Sequence, residues 1–369
     1  MLKKNSKKNR VFVAMSGGVD SSVAAALLQK EGYEVVGVFM KGWQAPNIEC
    51  TWKEDRRDAM RAAATLGIPF LTFDFSHYFY ENVVRYLLSE YGNNRTPNPD
   101  VMCNKAVKFG FFLKRARELG ADYIATGHYV RLRQKMKSKN TKIKIRVLST
   151  ALDLNKDQSY FLWTLTQEQL QYCLFPIGTY HKSEVRKLAR AFGLPNADKK
   201  DSQGVCFIGK LDMSDFLKQH IPERKGPVVT TGGDVVGQHK GLHLFTIGQR
   251  RGIGISGADP YYVAKKDPVT NTLIVADGTR DPLLYKNKFR VGGMHWIYGV
   301  APKMPLKCLA RIRYRQPLEE ATVIGAGDDS YEVAFIKPQF AVAKGQSIVF
   351  YRNSNAARGC AEMLGGAVI

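Results

Sequence analysis

The string Val11-Phe12-Val13-Ala14-Met15-Ser16-Gly17-Gly18-Val19-Asp20-Ser21-Ser22-Val23 constrains the fold of this chain more than any other. Its apolar, β-branched start predicts a buried strand, which passes through a Ser/Gly turn directly into a helical pattern. Gly17 and Gly18 let the backbone approach a ligand closely and turn its N–H groups inward. The N-terminus of the next helix adds about half a positive charge, and Ser16, Ser21 and Ser22 add hydroxyls. This is an anion cradle at a strand–helix junction. It lacks the Gly-x-x-x-x-Gly-Lys-Ser/Thr of a P-loop and the Gly-x-Gly-x-x-Gly of a dinucleotide fold, so neither kinase-type γ-phosphate transfer nor dinucleotide binding is indicated.

The surrounding pattern is α/β. Residues 10–15, 34–40, 69–73 and 122–126 read as strands, and 21–31, 54–66, 76–91 and 104–119 as helices. Strands alternating with helices of this length imply right-handed βαβ units and a mostly parallel sheet. Near residue 210 the character changes. Short strands punctuated by glycine follow at 228–230, 235–236, 243–247, 261–264 and 273–276. Beyond residue 281, segments 307–314, 321–324, 331–335 and 346–351 alternate like strands of a small closed barrel. The expected organisation is a catalytic α/β domain over 1–210, a small strand-rich domain over 211–281 and a C-terminal β-barrel over 282–369.

Lysine and arginine number 55 against 33 acidic residues, a formal charge of +22, which favours a polyanionic partner. Between Arg131 and Arg146 the chain carries eight basic residues and no acid, alternating with apolar ones. Two readings of this insert stay open, a solvated β-hairpin and an RNA-gripping one. The hydrophobic share of 44% is enough for real cores, so disorder as the main state is excluded. No apolar run approaches the ~18–20 residues of a membrane span. The apolar stretch after the basic N-terminus is only five residues long, too short for an export signal. A cytoplasmic protein with reduced cysteines and no membrane partner is expected.

Two of the six cysteines stand out. Cys103 follows Arg95-Thr96-Pro97-Asn98-Pro99-Asp100, where two prolines predict an extended loop that delivers the thiol to the mouth of the next helix. The helix dipole and Lys105 would acidify a thiol there, and Asp100 stands close enough in sequence to serve as acid or base. Cys206 lies in Lys200-Asp201-Ser202-Gln203-Gly204-Val205-Cys206, a glycine-flanked stretch after two lysines that suits an accessible, cation-assisted thiol. Cys173 and Cys308 sit in apolar runs and read as core fillers, while Cys50 and Cys360 are undecided. No Cys-x-x-Cys pair or tight Cys/His set occurs, so no metal site is assigned.

The Ser-Gly-Gly-Val-Asp-Ser-Ser turn resembles the PP-loop of ATP pyrophosphatases, which cleave ATP between the α and β phosphates. With the two cysteine motifs, Ala125-Thr126-Gly127-His128-Tyr129, Asn155-Lys156-Asp157-Gln158-Ser159-Tyr160, Phe245-Thr246-Ile247-Gly248-Gln249-Arg250-Arg251-Gly252 and Arg311-Ile312-Arg313-Tyr314, nearly the whole chain is similar to the MnmA family of tRNA 2-thiouridylases. The resemblance implies ATP as substrate, bound across Ala14, Met15, Ser16, Gly17, Gly18, Val19, Asp20 and Ser21, with Met40 and Gly127 on the adenosine side. Mg²⁺ would accompany the phosphates rather than occupy a protein cage.

It further implies that the C2 oxygen of the wobble uridine is adenylated and that Cys206 carries a persulfide relayed from a cysteine desulfurase. Cys103 would be the partner nucleophile, leaving a transient Cys103–Cys206 disulfide. Asn98, Pro99 and Asp100 would meet the target base. His128, Lys156, Asp157, Gln158, Arg313, Tyr314 and Gln346 would contact tRNA, with Lys, Glu and Gln acceptors and a monomer expected. Lys105-Ala106 stands where the family commonly has Lys-Glu, and residues 352–363 look like an insertion before the final Gly-Gly strand. Two other readings make different demands. A lysidine synthetase-like enzyme would use an amine nucleophile and dispense with both cysteines. A non-catalytic, ATP-gated RNA-binding protein would release no pyrophosphate.

Overall fold

A computed structural model of the chain describes residues 8–45, 52–136, 144–201, 213–255, 260–327, 330–353 and 360–369. Cys206 and Cys50 lie outside the described residues, as do parts of the basic insert and of the 352–363 stretch. The first strands are β1 (Arg10–Ala14), β2 (Glu34–Lys41), β3 (Phe70–Asp74), β4 (Tyr123–Thr126), β5 (Arg131–Met136), β6 (Lys144–Ser149) and β7 (Cys173–Leu174). β1, β2, β3, β4 and β7 form one parallel sheet in the order β3-β2-β1-β4-β7. Alternation along β1 puts Phe12 and Ala14 into the core on one face and Val11 and Val13 into the core on the other. Helix α1 (Val19–Lys30) follows β1 and is buried along most of its length, while α2 (Trp52–Leu66) follows β2.

The second part has β8 (Gly226–Thr230), β9 (Val235–His239), β10 (Tyr261–Asp267) and β11 (Thr272–Asp277) in the order β10-β11-β8-β9. The expected strand at 243–247 is not formed. Leu242–Leu244 is a single 3₁₀ turn, in which the three-residue spacing of Leu242 and Phe245 sends both side chains into the small core.

The remaining strands are β12 (Tyr285–Trp296), β13 (Leu306–Arg311), β14 (Glu319–Gly325), β15 (Tyr331–Phe340), β16 (Ser347–Asn353) and β17 (Ala361–Val368). They run β12-β15-β14-β13-β16-β17 and close on themselves through β12–β17, a six-stranded barrel. Residues 352–353 and 361–363, read as insertion, are the end of β16 and the start of β17. The described flanks of the basic insert pair antiparallel, Arg131–Met136 against Lys144–Ser149. Its strands β5 and β6 add to the barrel's sheet beside β17, so the first and third parts share one sheet. No described helix is long and apolar enough to cross a membrane.

A buried polar knot fixes the barrel to the α/β part. Arg311 at the end of β13 pairs with Asp157, and both side chains are 5% exposed or less. Asp157 also accepts from the N–H of Ala151 (3.0 Å) and from the Ser159 hydroxyl (2.9 Å), while Arg311 donates to the Tyr351 hydroxyl (2.7 Å). Burial works against the guanidinium charge, but Tyr351 and Asp157 override it and raise the Arg311 pKa. Nearby, Tyr160 donates to the Ser347 carbonyl (2.8 Å) and Trp163 to the Ser347 hydroxyl (3.0 Å). Removing one partner strands the other charge out of water, so Asp157→Ala is expected to cost about 3–5 kcal/mol. Adding Arg311→Met should recover much of that loss, and urea unfolding of the single and double variants measures both effects.

Candidate functional site

Sheet order reverses between β1 and β4, and ligands of open α/β sheets bind in the crevice at such a switch point. The Ser-Gly loop leaves β1 there. Met15 is still tied to the sheet by its N–H to the Val38 carbonyl (2.8 Å). The Ser16 N–H then donates to the Ser21 hydroxyl (3.2 Å), and the hydroxyls of Ser21 and Ser22 both donate to the Gly18 carbonyl (3.1 Å each). Gly18 is the N-cap of α1, and no side chain caps that helix end. The leading N–H groups of a helix without a side-chain cap are available to an anion.

The glycines have specific causes. Gly17 has φ +80°, and a Cβ there would stand 2.2 Å from the Asp55 carbonyl oxygen in the first turn of α2. At Gly127, just past β4, a Cβ would stand 2.7 Å from the Ser21 nitrogen, so only glycine lets β4 reach the start of α1. Asn196, which sequence reasoning did not single out, holds the loop from behind. Its amide donates to the Gly17 carbonyl (2.9 Å) and the Ser22 hydroxyl (3.0 Å). Met40 is buried at the end of β2, in the same apolar cluster as Ala14 and Cys103.

Charged groups border the crevice. Asp20 is bound by the Lys182 ammonium at 2.7 and 2.8 Å and accepts from the Tyr129 hydroxyl at 2.8 Å. Lys182 also meets Asp201 (2.9 Å), which in turn pairs with Lys156 (2.6 Å) and Arg186 (3.0 Å). Lys199 bridges Asp55 (2.8 Å) and Asp58 (2.7 Å) on α2. Asp201 is five positions before Cys206 in sequence, so this network ties the stem of the second cysteine motif to the phosphate loop. Lys182, Arg186 and Lys199 carry no local sequence signal, since they acquire partners only through the fold.

The segment leading to Cys103 departs from expectation. The helix begins at Pro99, not residue 104, because Asn98 caps it (Val101 N–H to Asn98 Oδ1, 3.2 Å) and Pro99 suits its first position. Pro99–Met102 runs into a π-helical stretch, Cys103–Phe112. Cys103 therefore sits one turn inside the helix and is 1% exposed, rather than at a helix mouth. The preceding loop is clasped from two sides. The Thr96 N–H donates to the Lys344 carbonyl (2.8 Å), and Gln346 donates to the carbonyls of Thr96 (2.9 Å) and Pro97 (3.2 Å). The Thr96 hydroxyl meets that of Thr246 in the small domain (3.2 Å). Asn98 hydrogen-bonds the Tyr160 hydroxyl, joining this loop to the 155–162 segment.

The expected RNA contacts divide. Lys156 and Tyr314 are partly exposed, Lys156 on Asp201 and Tyr314 against Phe161 with ring centroids 4.6 Å apart. Asp157 is consumed by Arg311, and Gln158 accepts the Tyr129 N–H (3.0 Å). Arg313 donates to the carbonyls of Ile247 (3.2 Å) and Ala341, and Gln346 braces the Thr96 loop, so both act between domains. His128 is buried between Phe109 and Phe175 and bonded to Thr126 (2.8 Å). Burial, with help from Lys108, pushes its pKa well below the ordinary value, so the ring is neutral. Cys173 is buried, and burial raises the Cys308 thiol to about 12, as suits core fillers.

Against the opposing effect of burial, Lys156 and Lys182 lower the Asp201 carboxyl to about 2. The unfolded carboxyl titrates near ~3.9, so the network's contribution is fully present above that pH and fades as pH falls toward about 2. Asp201→Asn should therefore flatten the decline of the urea midpoint between pH 5 and pH 2 (about the span of the two pKa values) relative to the unaltered chain. Gly17→Ala should disrupt the loop itself, with loss of anion binding measured by calorimetry.

Three family profiles match the chain in order. Residues 9–210 match the tRNA methyl transferase HUP domain, 214–277 the tRNA methyl transferase PRC-barrel domain, and 286–369 the aminomethyltransferase beta-barrel domain. The tRNA-specific 2-thiouridylase MnmA of Alcanivorax borkumensis is 46% identical over 367 residues, covering 98% of this chain and 97% of its own. The protein of the same name from Bacillus licheniformis is 45% identical over 371 residues, covering 99% and 96%. With identity of this order along both chains nearly end to end, and the Ser-Gly loop, the Cys103 helix and the barrel all within the matched span, the chain belongs to the tRNA-specific 2-thiouridylase MnmA family.

Proposed function

We propose that the chain is a tRNA-uridine 2-sulfurtransferase that converts ATP to AMP and pyrophosphate while placing sulfur on C2 of the wobble uridine. The observation that carries the reading is the α1 N-terminus without a side-chain cap, set behind Gly17-Gly18 in the β1/β4 crevice of a chain matched throughout to this family. Residues 14–21 would bind the ATP phosphates, with Met40 and Gly127 toward the adenosine. The hydroxyl oxygens of Ser16 and Ser21 are hard donors that fit Mg²⁺ carried on those phosphates, where it would offset charge on the departing pyrophosphate, while Asp20 is held by Lys182.

A urea-like carbonyl is a poor electrophile and oxide a poor leaving group. Attack of the C2 oxygen on the α-phosphorus expels pyrophosphate and leaves AMP as a leaving group. In one route Cys103 attacks Cys206 Sγ of the persulfide and frees sulfide, which forms the C2–S bond as AMP departs. In the other the terminal persulfide sulfur forms that bond itself as AMP departs, and Cys103 then attacks Cys206 Sγ to cleave the S–S bond of the intermediate. In both cases a Cys103–Cys206 disulfide remains, and cellular thiols supply the two electrons that reduce it. Asn98, Pro99 and Asp100 would hold the base, with Asp100 as acid or base. In this scheme 1–210 performs the chemistry while 211–281 and 282–369 position the RNA. The enzyme would work in the cytoplasm, as a monomer, on Lys, Glu and Gln tRNAs with sulfur relayed from a cysteine desulfurase.

Unmodified glutamate tRNA, ATP, Mg²⁺ and a persulfide source, followed by nucleoside mass spectrometry, test the reading. The unaltered enzyme should give 2-thiouridine, and Cys206→Ser none. Cys103→Ser should lose most activity. Full activity in both variants would sink the two-cysteine scheme, and turnover that needs free lysine would point to an amine nucleophile.

A further inference from the structure

Away from the crevice, an open groove of about 510 Å³ lies along the seam where β12 meets β17 and reaches across to the loop before Cys103. Four cations rim it: Arg95, Lys286, Arg290 and Lys344, all exposed. Lys286, Arg290 and Lys344 make no ion pair among the described residues, and Arg95 shares only a 3.3 Å contact with Glu90. Neighbouring cations of the same barrel differ, since Lys288 is paired with Glu332 (2.8 Å) and Lys337 with Glu319 (3.4 Å). Three of the four rim cations are thus left without a neutralising carboxylate among the described residues. Phe289, its ring packed on Phe335, contributes an apolar floor, and the adjoining Gly292 and Gly293 add no side chain to obstruct it.

Position decides what such a groove can hold. Arg95 immediately precedes Thr96, and Lys344 supplies the carbonyl that clasps the Thr96 N–H. The groove therefore begins where the proposed base-holding loop ends. From Lys286 to Arg290 a strand rises about 13 Å at ~3.3 Å per residue, more than one phosphate group needs. A basic rim over an apolar floor suits a strand with phosphates outward and sugar or base inward.

We propose that this groove binds the phosphodiester backbone of the RNA strand flanking the modified nucleotide, with Lys286, Arg290, Lys344 and Arg95 as phosphate contacts. The inference rests on the RNA reading under Proposed function. It is tested with the full chain by measuring the Kd for tRNA over a salt series for the unaltered protein and for Lys286→Gln/Arg290→Gln/Lys344→Gln. Each lost phosphate contact lowers the log Kd against log salt slope by ~0.7–0.9, so the triple variant should lose about 2 of slope and at least ~10-fold in affinity at low salt. Lys286→Arg/Lys344→Arg should keep both, which separates charge from fold. The KM for tRNA should rise by the same factor as the Kd. If the unaltered protein does not bind tRNA, the RNA reading itself falls. If it binds and the triple variant matches it in Kd and slope, the groove proposal alone is overturned. Unchanged RNA binding with slower sulfur uptake from a donor protein would also overturn it, assigning the groove to an acidic protein surface. Competition by millimolar inorganic phosphate beyond its ionic-strength effect would mean a single-anion site and count against it.

Discussion

Arg311 and Asp157 lie almost wholly out of water, and each is tolerable there only because every available partner is in place. That requirement is geometric. The carboxylate is filled by Arg311, Ala151 and Ser159, and the guanidinium by Asp157, Ser159 and Tyr351. A barrel displaced by an ångström or two would leave charges unsatisfied. The segment carrying Asp157 also bears Lys156, which holds Asp201, and Gln158, which holds Tyr129, itself bonded to Asp20. The seat of the barrel and the edge of the phosphate crevice are therefore one continuous polar structure. Tyr160 with Asn98, and Gln346 with Thr96, make the same connection on the side of the Cys103 helix.

What could be read in advance follows from where the information resides. The β1–loop–α1 unit was legible because its causes are local: β-branched residues, two glycines, and hydroxyls at the start of a helix. The parallel sheet followed from strands spaced by helices. The start of the Cys103 helix was misread because Pro97 and Pro99 look alike in sequence, although Pro99 stands at a first helical position that tolerates proline. Strand β12 was missed, since Lys286, Lys288 and Arg290 dilute its apolar pattern and Gly292-Gly293 resembles a turn. Lys182, Asn196 and Lys199 were invisible for a different reason. Their partners in the phosphate loop and on α2 are more than a hundred residues away, and no short window contains those pairings.

The excess positive charge is likewise not a uniform coat. Lys156, Lys182, Arg186 and Lys199 are occupied by aspartates around the crevice, and Arg311 is buried in the knot. Much of the remaining basicity lies on the β5–β6 pair and on the barrel's outer strands, where it faces solvent. Internal cations set geometry, and external ones set the long-range field that a polyanion meets first.

The β5–β6 pair has a consequence for the order in which the molecule can be assembled. It belongs by sequence to the first part of the chain, yet its open edge is closed by β17. Ala361 donates to the Thr150 hydroxyl across 211 positions. A ribosome delivers the α/β part long before residues 361–368 exist as a strand. Until then β6 has an unpaired edge, and the 150–162 segment lacks the arginine that neutralises it. Folding one domain at a time, the usual economy of multidomain chains, is closed to this protein at that junction. The phosphate loop can form early, but the segment that joins it to the barrel reaches its working shape only after Arg311 and β17 have been made.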